Sequence, residues 1–308
     1  AAAGRWPCPG ITDVKSVRLE ISMIIATTEN DVRKQVKKWK AEGLTVGLVP
    51  TMGALHEGHA SLVAAAVSQC DRVVASVFVN PTQFGVGEDL DSYPRDFEHD
   101  CRLLEEKGCS IVFHPEVEEM YPPGFGTYVN LETEMTKQLC GKSRPGHFRG
   151  VCTVVSKLFN IVTPDRAYFG QKDAQQLAVI RQMVRDMNFD IEIVGCPIVR
   201  EADGLAKSSR NSYLSDKERM AALVLSRSIK AAEKAIEEEF DCEGEGVPAG
   251  EIKDIMTAIV AAEPLAKIDY IEAVDGLTLM PKDVLKSGDL VAMAVYIGKT
   301  RLIDNFTL

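Results

Sequence analysis

The sequence predicts an α/β fold in which a parallel sheet is followed by a smaller α+β part. Short apolar runs alternate with amphipathic helical segments up to about residue 198, as expected for βαβ units with right-handed crossovers. Polar clusters (TMGALHEGH, NPTQF and GQKD) follow three of these runs. From residue 199 onward the pattern changes to long helices and strands that alternate or run apolar, which is typical of a separate α+β unit.

The elements of the first part follow in order from apolar runs and helix-end signals. Met23 precedes a short strand, and residues 30–42 predict an amphipathic helix that ends at Gly43. Further strands are predicted at 45–50, 72–81, 109–115, 166–170 and 191–199, and further helices at 57–70, 97–108, 147–164 and 173–188. Because the polar clusters lie at carboxyl ends of strands, where parallel sheets bind ligands, we expect a Rossmann-like nucleotide-binding domain over 23–198.

Residues 199–308 are predicted to form the smaller domain, with the KSSR loop at its start. We expect one long helix over 213–240, another over 250–263, and small antiparallel strands at 268–275, 291–298 and 300–306. The acidic, glycine-rich stretch 241–250 predicts a solvated connection. Residues 1–22 fit no neighbouring pattern and lack the apolar core of a signal peptide, so we interpret them as a leader foreign to the natural chain.

Composition and charge narrow the class of protein. The chain has 308 residues, 45% hydrophobic and 26% charged, which is ordinary for a globular protein, and it has no apolar run of the roughly 18 residues that span a bilayer. Its net charge of −10 argues against a broad nucleic-acid surface, so neither nucleic acid nor a membrane is an expected partner. Eight cysteines without metal-type spacing are typical of reduced thiols, so we expect a cytoplasmic protein without a metal centre of its own.

Residues 56–59 read HEGH, with two histidines three apart between a strand and a helix. A zinc protease carries H-E-x-x-H instead, so zinc is not expected. The first turn of a helix offers free N–H groups and the positive end of the helix dipole, which together form an anion site. His56 and His59 could donate to phosphate oxygens there, and Gly58 would let a ligand approach the backbone. A pair of capping or surface histidines would explain the same four residues.

Two further segments carry cations. Lys172 lies at a strand end, with Asp173 as the expected N-cap of the next helix, and is placed to reach a phosphate. In GLAKSSRNSYL (204–214), hydroxyls and cations stand together and could fold over a triphosphate: Lys207, Ser208, Ser209 and Arg210. A solvated surface lysine and a charged, helix-capping turn are the plainer alternatives.

Neutral amides also lie at or just beyond strand ends, namely Asn80, Gln83 and Gln176. Buried amides need hydrogen-bond partners, which a hydroxy acid or nearby backbone could supply. The segment KSRPGHFRG (142–150) concentrates positive charge that suits a carboxylate or phosphate, although a helix N-terminal turn would explain it nearly as well. We expect the loop 85–92 to be a mobile lid over the substrate pocket.

Taken together, these segments resemble the pantoate–β-alanine ligase (pantothenate synthetase) family, which belongs to the nucleotidyltransferase superfamily marked by HIGH-type and KMSKS-type signatures. The resemblance extends from Met23 to the C-terminus. It rests on six motifs in family order: PTMGALHEGH (50–59), FVNPTQF (78–84), YPR (93–95), RPGHF (144–148), PDRAYFGQKDAQQ (164–176) and DGLAKSSRN (203–211). A lone H-x-G-H would be weak support, whereas six ordered motifs are specific.

The resemblance implies an ATP-dependent ligase that condenses (R)-pantoate with β-alanine. The pantoate carboxylate attacks the α-phosphorus of ATP, which is accompanied by Mg²⁺, and pantoyl adenylate and pyrophosphate form. The amine of β-alanine then attacks the activated acyl carbon and displaces AMP, giving pantothenate. The implied partners are these small molecules, and the implied assembly is a homodimer.

Matching positions carry implied roles. Catalysis would depend on residues around the triphosphate, with His59 donating a proton or a hydrogen bond: His56, His59, Lys172, Ser208, Ser209 and Arg210. The nucleotide would also contact Met52, Gly53, Ala54, Leu55, Glu57, Gly58, Gly170, Gln171, Asp173, Val199 and Lys207. Pantoate would be held by Gln83 and Gln176, with Asn80 nearby. Gln171 stands where many relatives carry glutamate, and the second signature is shortened to KSSR, so neither Gln171 nor Lys207 is given a catalytic role.

Three other functions would share part of this pattern. Another adenylyl- or cytidylyltransferase would carry HEGH and the KSSR loop, but it would have no reason to combine NPTQF with KDAQQ. A class I aminoacyl-tRNA synthetase would need a basic surface, which a chain with a net charge of −10 lacks. A nucleotide-binding regulator without catalysis would tolerate the loss of a catalytic cation, whereas the expected histidines, lysine and arginine are all present.

Overall fold

The computed structural model of the protein describes residues 23–239 and 246–308. These residues form a parallel sheet covered by helices, followed by a smaller part with an antiparallel sheet, so the predicted fold class is confirmed. The leader predicted over 1–22 lies outside the described residues, as do residue 240, the end of the predicted long helix, and residues 241–245 of the predicted connection.

The parallel sheet has the strand order β1-β4-β3-β2-β5-β6. Its strands are β1 (Ile24–Ala26), β2 (Val46–Thr51), β3 (Arg72–Val77), β4 (Ile111–Phe113), β5 (Arg166–Gly170) and β6 (Glu192–Cys196). Neighbouring residues of one strand enter two different hydrophobic cores, one on each face, as Leu48 and Val49 do. Burial on both faces explains why the central strands consist of continuous apolar runs.

Helices cover both faces of this sheet. The core on one face includes residues of α2 and α3, and the core on the other face includes residues of α1, α6 and α7. The helices are α1 (Glu29–Ala41), α2 (Glu57–Gln69), α3 (Phe97–Glu106), α4 (Val117–Met120), α5 (Leu139–Ser143), α6 (His147–Val162) and α7 (Ala174–Asp186). Short 3₁₀ helices lie at Pro81–Gln83, Glu134–Lys137, Gln171–Asp173 and Ser209–Tyr213.

The C-terminal part has an antiparallel sheet in the order β11-β10-β8, as predicted, and a small two-stranded sheet β7-β9. Its strands are β7 (Val247–Pro248), β8 (Ala266–Val274), β9 (Val284–Leu285), β10 (Leu290–Ile297) and β11 (Thr300–Thr307). The helices α8 (Asp216–Ala221), α9 (Leu223–Glu239) and α10 (Ala249–Ala261) belong to the same part. A separate hydrophobic core, with members from Leu205 to Phe306, holds these elements together.

The two parts are also joined by apolar packing. Four residues that follow position 198 belong to the core of the parallel sheet, namely Val274, Leu279, Leu290 and Ala292. Side chains from the smaller part complete the larger core, so the two parts are not packed independently. The boundary between residues 198 and 199 stays a prediction.

Two predicted elements differ from the structure. The single helix expected over 213–240 is divided at Ala222, and it begins only at Asp216, because Tyr213 ends the preceding 3₁₀ helix Ser209–Tyr213. Ser215 caps α8 and forms a capping box with Glu218, so the sequence S-x-x-E contained a start signal that periodicity alone did not reveal. Within the predicted solvated connection, Val247 is fully buried because β7 pairs with β9.

No helix within the described ranges is both long and apolar enough to cross a membrane. The cysteines of the same ranges are free thiols: Cys70, Cys101, Cys109, Cys140, Cys152 and Cys196.

Candidate active site

A cavity of about 200 Å³ opens at the carboxyl ends of β2, β3, β5 and β6. The chain leaves β2 towards β3 on one side of the sheet and later returns to pair β5 with its other side, so the cavity lies at the topological switch point. A cleft of about 670 Å³, which is lined by both parts of the molecule, adjoins it. The cavity and the cleft share Lys172, Asp173, Gln176, Ser208 and Arg210, so the two spaces connect.

Most predicted site residues meet on the cavity wall. They are Met52, His56, Gly58, His59, Asn80, Gln83, Gly170, Lys172, Asp173, Gln176, Val199, Lys207, Ser208, Ser209 and Arg210. The structure does not bring Gly53, Ala54, Leu55, Glu57 and Gln171 to this wall.

The two histidines serve both the helix and the cavity. His56 is the N-cap of α2, and its Nδ1 accepts a hydrogen bond from the Gly58 N–H at 3.1 Å. Nδ1 of His59 accepts from the His56 N–H at 3.3 Å, and the two rings lie 4.1 Å apart. Because Nδ1 of each ring is an acceptor, the neutral rings carry their proton on Nε2, which is free to donate to a ligand.

Both imidazoles are held in the neutral form. Burial is the main cause that lowers the pKa of His56 to about 4, and the ammonium of Lys172 acts in the same direction. Burial likewise lowers the pKa of His59 well below its usual value, with His56 and Lys172 as further causes. The pair is therefore a set of two neutral N–H donors on the cavity wall.

Gly58 has a structural role in addition to the one expected. A Cβ atom at this position would lie 2.8 Å from Cε1 and 2.9 Å from Nδ1 of His56. Glycine is needed because the His56 ring packs against the backbone there, and not only because a ligand approaches.

The turn between β2 and His56 wraps around a carboxylate of the protein. Gly53 and Ala54 both have positive φ, at 83° and 50°. The N–H groups of Ala54 and Leu55 donate to the carboxylate of Asp100 at 3.0 and 2.7 Å, and Asp100 is 1% exposed. These N–H groups already have an anionic partner, which explains why this stretch lies behind the cavity wall.

Lys172 is carried by the 3₁₀ turn that follows β5. Its Nζ lies 3.2 Å from the Asp173 carboxylate. Asp173 occupies the predicted N-cap position of α7, but its side chain makes no capping hydrogen bond there. Gly170 has no atom within 4 Å of a Cβ built on it, so the backbone before Lys172 borders open space. Gln171 is exposed and does not belong to the cavity wall.

The KSSR loop reaches the cavity as a hairpin. The Lys207 N–H donates to the Val199 carbonyl at 2.9 Å, and Lys207 Nζ pairs with the Glu57 carboxylate at 2.9 Å. Glu57 thus contacts the loop and not the cavity. Ser208 caps the following 3₁₀ helix by accepting from the Arg210 N–H, and Ser209 Oγ lies 3.3 Å from the hydroxyl of Tyr93.

The predicted lid contacts two cations of the site. The Asp89 carboxylate accepts two hydrogen bonds from the Arg210 guanidinium, both at 3.0 Å, and Glu88 pairs with Arg144. Burial acts to raise the pKa of Asp89, but the hydrogen bonds and the positive charge of Arg210 together outweigh it, and the pKa lies below its usual range. The loop is thus held by ion pairs that anionic ligands could replace, and its motion stays a prediction.

The amides have different surroundings. Asn80 is 1% exposed, and its side chain bonds to Gln83 Oε1, the Gly150 carbonyl and the Tyr121 hydroxyl. Asn80 therefore orients Gln83 and has little capacity left for a ligand. Gln83 Nε2 faces the sulfur of Met52 at 3.1 Å, a weak acceptor, and the Gln176 side chain makes no hydrogen bond within the described residues.

The basic segment 142–150 is largely committed to internal contacts. His147 Nδ1 lies 2.8 Å from the Gln83 carbonyl, and burial, followed by the charge of Arg144, lowers the pKa of His147 to about 4. The Arg149 guanidinium stacks 3.8 Å over the ring of Tyr128. Arg144 and His147 thus support the lid and the Gln83 turn, whereas Lys142 and Arg149 are exposed, so a role of this segment in anion binding stays a prediction.

Several wall residues were not predicted. The apolar side of the cavity is formed mainly by α6, through Val151, Val154, Val155 and Leu158. No local signal distinguishes them, because α6 is buried on nearly all sides. Tyr93 also lies on the wall, and its YPR motif was the available indication.

A Rossmann-like sheet whose switch-point cavity presents neutral histidines, a lysine and an arginine defines a nucleotide-binding α/β enzyme. The family model described as pantoate-beta-alanine ligase matches residues 24–307. The chain belongs to this family. The rival transferases, the synthetase and the regulator are thereby set aside.

Individual relatives agree. The pantothenate synthetase of Enterococcus faecalis is 58% identical over 286 residues, which cover 92% of this chain and 99% of that protein. The pantothenate synthetase of Clostridium novyi is 59% identical over 277 residues, 90% of this chain and 95% of that protein.

Solved structures extend the comparison to three dimensions. The crystal structure of pantothenate synthetase from Thermus thermophilus is 46% identical and superposes with a TM-score of 0.86, covering 92% of this chain and 99% of that one. The Francisella tularensis pantoate-beta-alanine ligase, complexed with beta-gamma ATP and beta-alanine, is 34% identical, with a TM-score of 0.75 and coverage of 92% and 97%. The chain is thus an ATP-dependent ligase that condenses (R)-pantoate with β-alanine to pantothenate through pantoyl adenylate, releasing AMP and pyrophosphate.

Proposed function

We propose that the switch-point cavity is where pantoate is adenylated, and that the cleft beside it admits β-alanine. The observation that carries this assignment is the convergence of three distant segments on one cavity: the HEGH turn, the Lys172 turn and the KSSR loop. The Francisella tularensis relative, solved with beta-gamma ATP and beta-alanine, supports the presence of both ligands in such a fold.

His56 and His59 act as neutral hydrogen-bond donors to the triphosphate. Their Nδ1 atoms are engaged with backbone N–H groups, so Nε2–H of each ring is the group that meets phosphate oxygens. Because burial keeps both pKa values low, His59 donates a hydrogen bond and does not transfer a proton in the first step. The N-terminus of α2 adds its dipole to the same anion site.

Lys172, Ser208, Ser209 and Arg210 stabilise charge on the α-phosphate and the departing pyrophosphate. When the pantoate carboxylate attacks, the bond from the α-phosphorus to the bridging oxygen breaks, and negative charge grows on the leaving group. Lys172 stabilises this charge as a point charge. Arg210 can donate two parallel hydrogen bonds to the leaving group once its hydrogen bonds to the Asp89 carboxylate are broken. The adenosine contacts Met52, Gly58, Gly170, Asp173, Val199 and Lys207.

Pantoate lies between the amides and α6. Gln83 and Gln176 hold its hydroxyls and carboxylate, and Asn80 orients Gln83. The two methyl groups of pantoate pack against the valines of the α6 wall, which removes their apolar surface from water. The β-alanine amine then attacks the acyl carbon from the cleft, the bond to AMP breaks, and the amine loses a proton.

A magnesium ion accompanies ATP in this proposal. Within the described residues, no group of three or more His, Cys, Asp or Glu side chains is arranged to hold a metal by itself. The Asp173 carboxylate lines the cavity, and Mg²⁺ is commonly held by one or two carboxylates together with substrate phosphates. The residues therefore fit an ion that is bound mainly by ATP and helps neutralise its phosphates.

We further propose a cytoplasmic homodimer. The free thiols of the described cysteines are consistent with a reducing compartment, and the family resemblance suggests the dimer. Light scattering of the full chain measures the assembly, and a mass of one chain, 33.7 kDa, would contradict the dimer.

The test of the function is pyrophosphate release from ATP and Mg²⁺ with D-pantoate alone, β-alanine alone, or both. We expect sustained release only with both acids, matched by AMP and pantothenate, and a single-turnover burst with pantoate alone. If no pyrophosphate is released with pantoate, either alone or together with β-alanine, the proposal that pantoate is adenylated in this cavity is wrong.

A further inference from the structure

The turn that carries Lys172 is held from the other part of the molecule. Asn305, on β11, donates from Nδ2 to the carbonyl of Gln171 at 3.1 Å and to the carbonyl of Lys172 at 2.8 Å. Asn305 is 6% exposed, so both hydrogen bonds are shielded from water. A carboxamide is suited to this task because one nitrogen offers two donors.

The turn has few other restraints of its own. Gly170 provides no side chain at its N-cap, and Asp173 makes no capping bond to α7. The backbone at Gly170 also borders open space. The two hydrogen bonds from Asn305 therefore supply the side-chain restraint that the local sequence does not.

The residue before Asn305 holds the second cation-bearing segment. Asp304 is 1% exposed and accepts from two nitrogens of the Arg200 guanidinium at 2.7 and 3.0 Å. Arg200 also donates to the Gly204 carbonyl, at the tip of the hairpin that presents the KSSR loop. The carboxylate of Asp304 accepts the N–H of Asn305 as well, at 2.9 Å.

Successive side chains of a strand point to opposite faces, so one dipeptide can reach two different segments. We propose that Asn305 is a positioning residue for adenylation, acting through Lys172, and that Asp304 sets the KSSR loop relative to it. The inference rests on the role proposed above for Lys172. By this inference, β11, the last strand of the smaller part, aligns Lys172 and the KSSR loop with each other.

The first test is single-turnover pyrophosphate release by Asn305→Ala with saturating ATP and pantoate. Loss of the two hydrogen bonds lets the Lys172 backbone shift, and misplacement by about 1 Å can slow a positioned reaction by about 100-fold. We expect adenylation to slow by about 10- to 100-fold, with a smaller change in the KM for pantoate, because Gln83 is held apart from this turn although Gln176 follows it. A normal rate would overturn the inference.

A double-mutant cycle with Lys172→Ala separates this inference from its premise. If Asn305 acts through Lys172, Asn305→Ala should slow the Lys172→Ala enzyme by less than about twofold. A further tenfold loss in that background would overturn the inference alone. A Lys172→Ala enzyme that keeps the wild-type rate would overturn the role of Lys172, and the inference with it.

Controls address folding. Val295→Ala removes buried volume from β10 without touching the cavity or the cleft, so it lowers stability but keeps the adenylation rate. Asn305→Leu keeps about the size of the side chain and removes both donors without adding a charge, and it serves if the alanine variant does not fold. In the folded variant, hydrogen exchange should rise at residues 171–174 and not along β10. A uniform rise would indicate a purely structural effect and contradict the inference.

Discussion

At the scale of single residues, His56 and His59 show how a capping pair can also be a binding pair. Nδ1 of each ring satisfies an N–H group of the first turn of α2, which leaves Nε2–H directed elsewhere. The plainer interpretation of HEGH, as capping histidines, and the sharper one, as a phosphate site, are therefore compatible. The capping bonds fix the ring orientation that the proposed phosphate binding requires.

Lys172→Ala should lower adenylation while leaving the fold intact. Its ion pair with Asp173 is partly exposed and contributes little to stability, whereas loss of one aligned charge costs about 10²- to 10³-fold in kcat. Single-turnover pyrophosphate release and thermal unfolding measure the two effects. Lys107→Ala, on an exposed lysine outside the cavity, is the control. Near-normal adenylate formation by Lys172→Ala would refute the role given to Lys172.

The neutral histidines predict how stability depends on pH. The folded pKa values of His56 and His147 are about 4, whereas histidine in an unfolded chain titrates near about 6.5. Between these values the unfolded chain binds protons that the folded chain does not. The free energy of unfolding should therefore fall as pH drops below about 6.5, by about 1.4 kcal/mol per pH unit for each histidine.

Urea unfolding at several pH values between about 5 and 6.5 measures this slope. His56→Asn should make it shallower, and His99→Asn, on the exposed face of α3, is the matched control. Equal slopes for wild type and His56→Asn would contradict the low pKa of His56.

At the scale of elements, the contact between α6 and the 3₁₀ helix Pro81–Gln83 shapes the pocket proposed for pantoate. A Cβ at Gly150 would lie 2.4 Å from the Thr82 carbonyl oxygen and 2.6 Å from the Gln83 nitrogen. Glycine lets the first turns of α6 approach this turn closely, and the Gly150 carbonyl accepts from Asn80 in return. The apolar wall and the Gln83 amide are thus placed by one helix packing.

Gly150→Ala should raise the KM for pantoate and destabilise the protein. The extra methyl group meets backbone and not a flexible side chain, so α6 must move, which typically costs about 1–3 kcal/mol. Gly250→Ala is a control of the same type, because a Cβ on that helical glycine meets nothing within 4 Å. Pantoate saturation curves and denaturant midpoints measure both variants. Unchanged values for Gly150→Ala would show that α6 can shift without disturbing Gln83.

At the scale of the whole molecule, the smaller part both completes the larger core and holds the turn that carries Lys172. Leu290 and Ala292 of β10 belong to the core of the parallel sheet, and the buried Asp304–Asn305 dipeptide holds the segments around Arg200 and Lys172. Neither part can open far without losing apolar contacts and alignment together.

We therefore expect the described parts to unfold in one cooperative transition. In a Trp6→Phe background, Trp39 is the one remaining tryptophan, and its buried position on α1 reports on the larger part. Its fluorescence and the far-UV circular dichroism should show the same urea midpoint. Leu290→Ala should shift both midpoints equally. Separate midpoints would show that the parts unfold independently.

The sequence by itself determined the fold class, the order of strands and helices, and the segments that face the cavity. These features follow from local periodicity and from the rule that ligands bind at carboxyl ends of parallel strands. Helix starts such as the capping box at Ser215 were also readable, although the long amphipathic pattern concealed the division at Ala222.

Only the tertiary structure decided which side chains reach the cavity. Asp100 fills the turn before His56 from 45 and 46 residues away, Asp89 holds Arg210 across 121 residues, and Asn305 holds the Lys172 carbonyl across 133. No local sequence pattern predicts such partners. Each is an ordinary polar residue in the sequence, and only folding brings it next to an unsatisfied backbone group or charge. Burial then makes each contact obligatory, since a polar group removed from water must be paired.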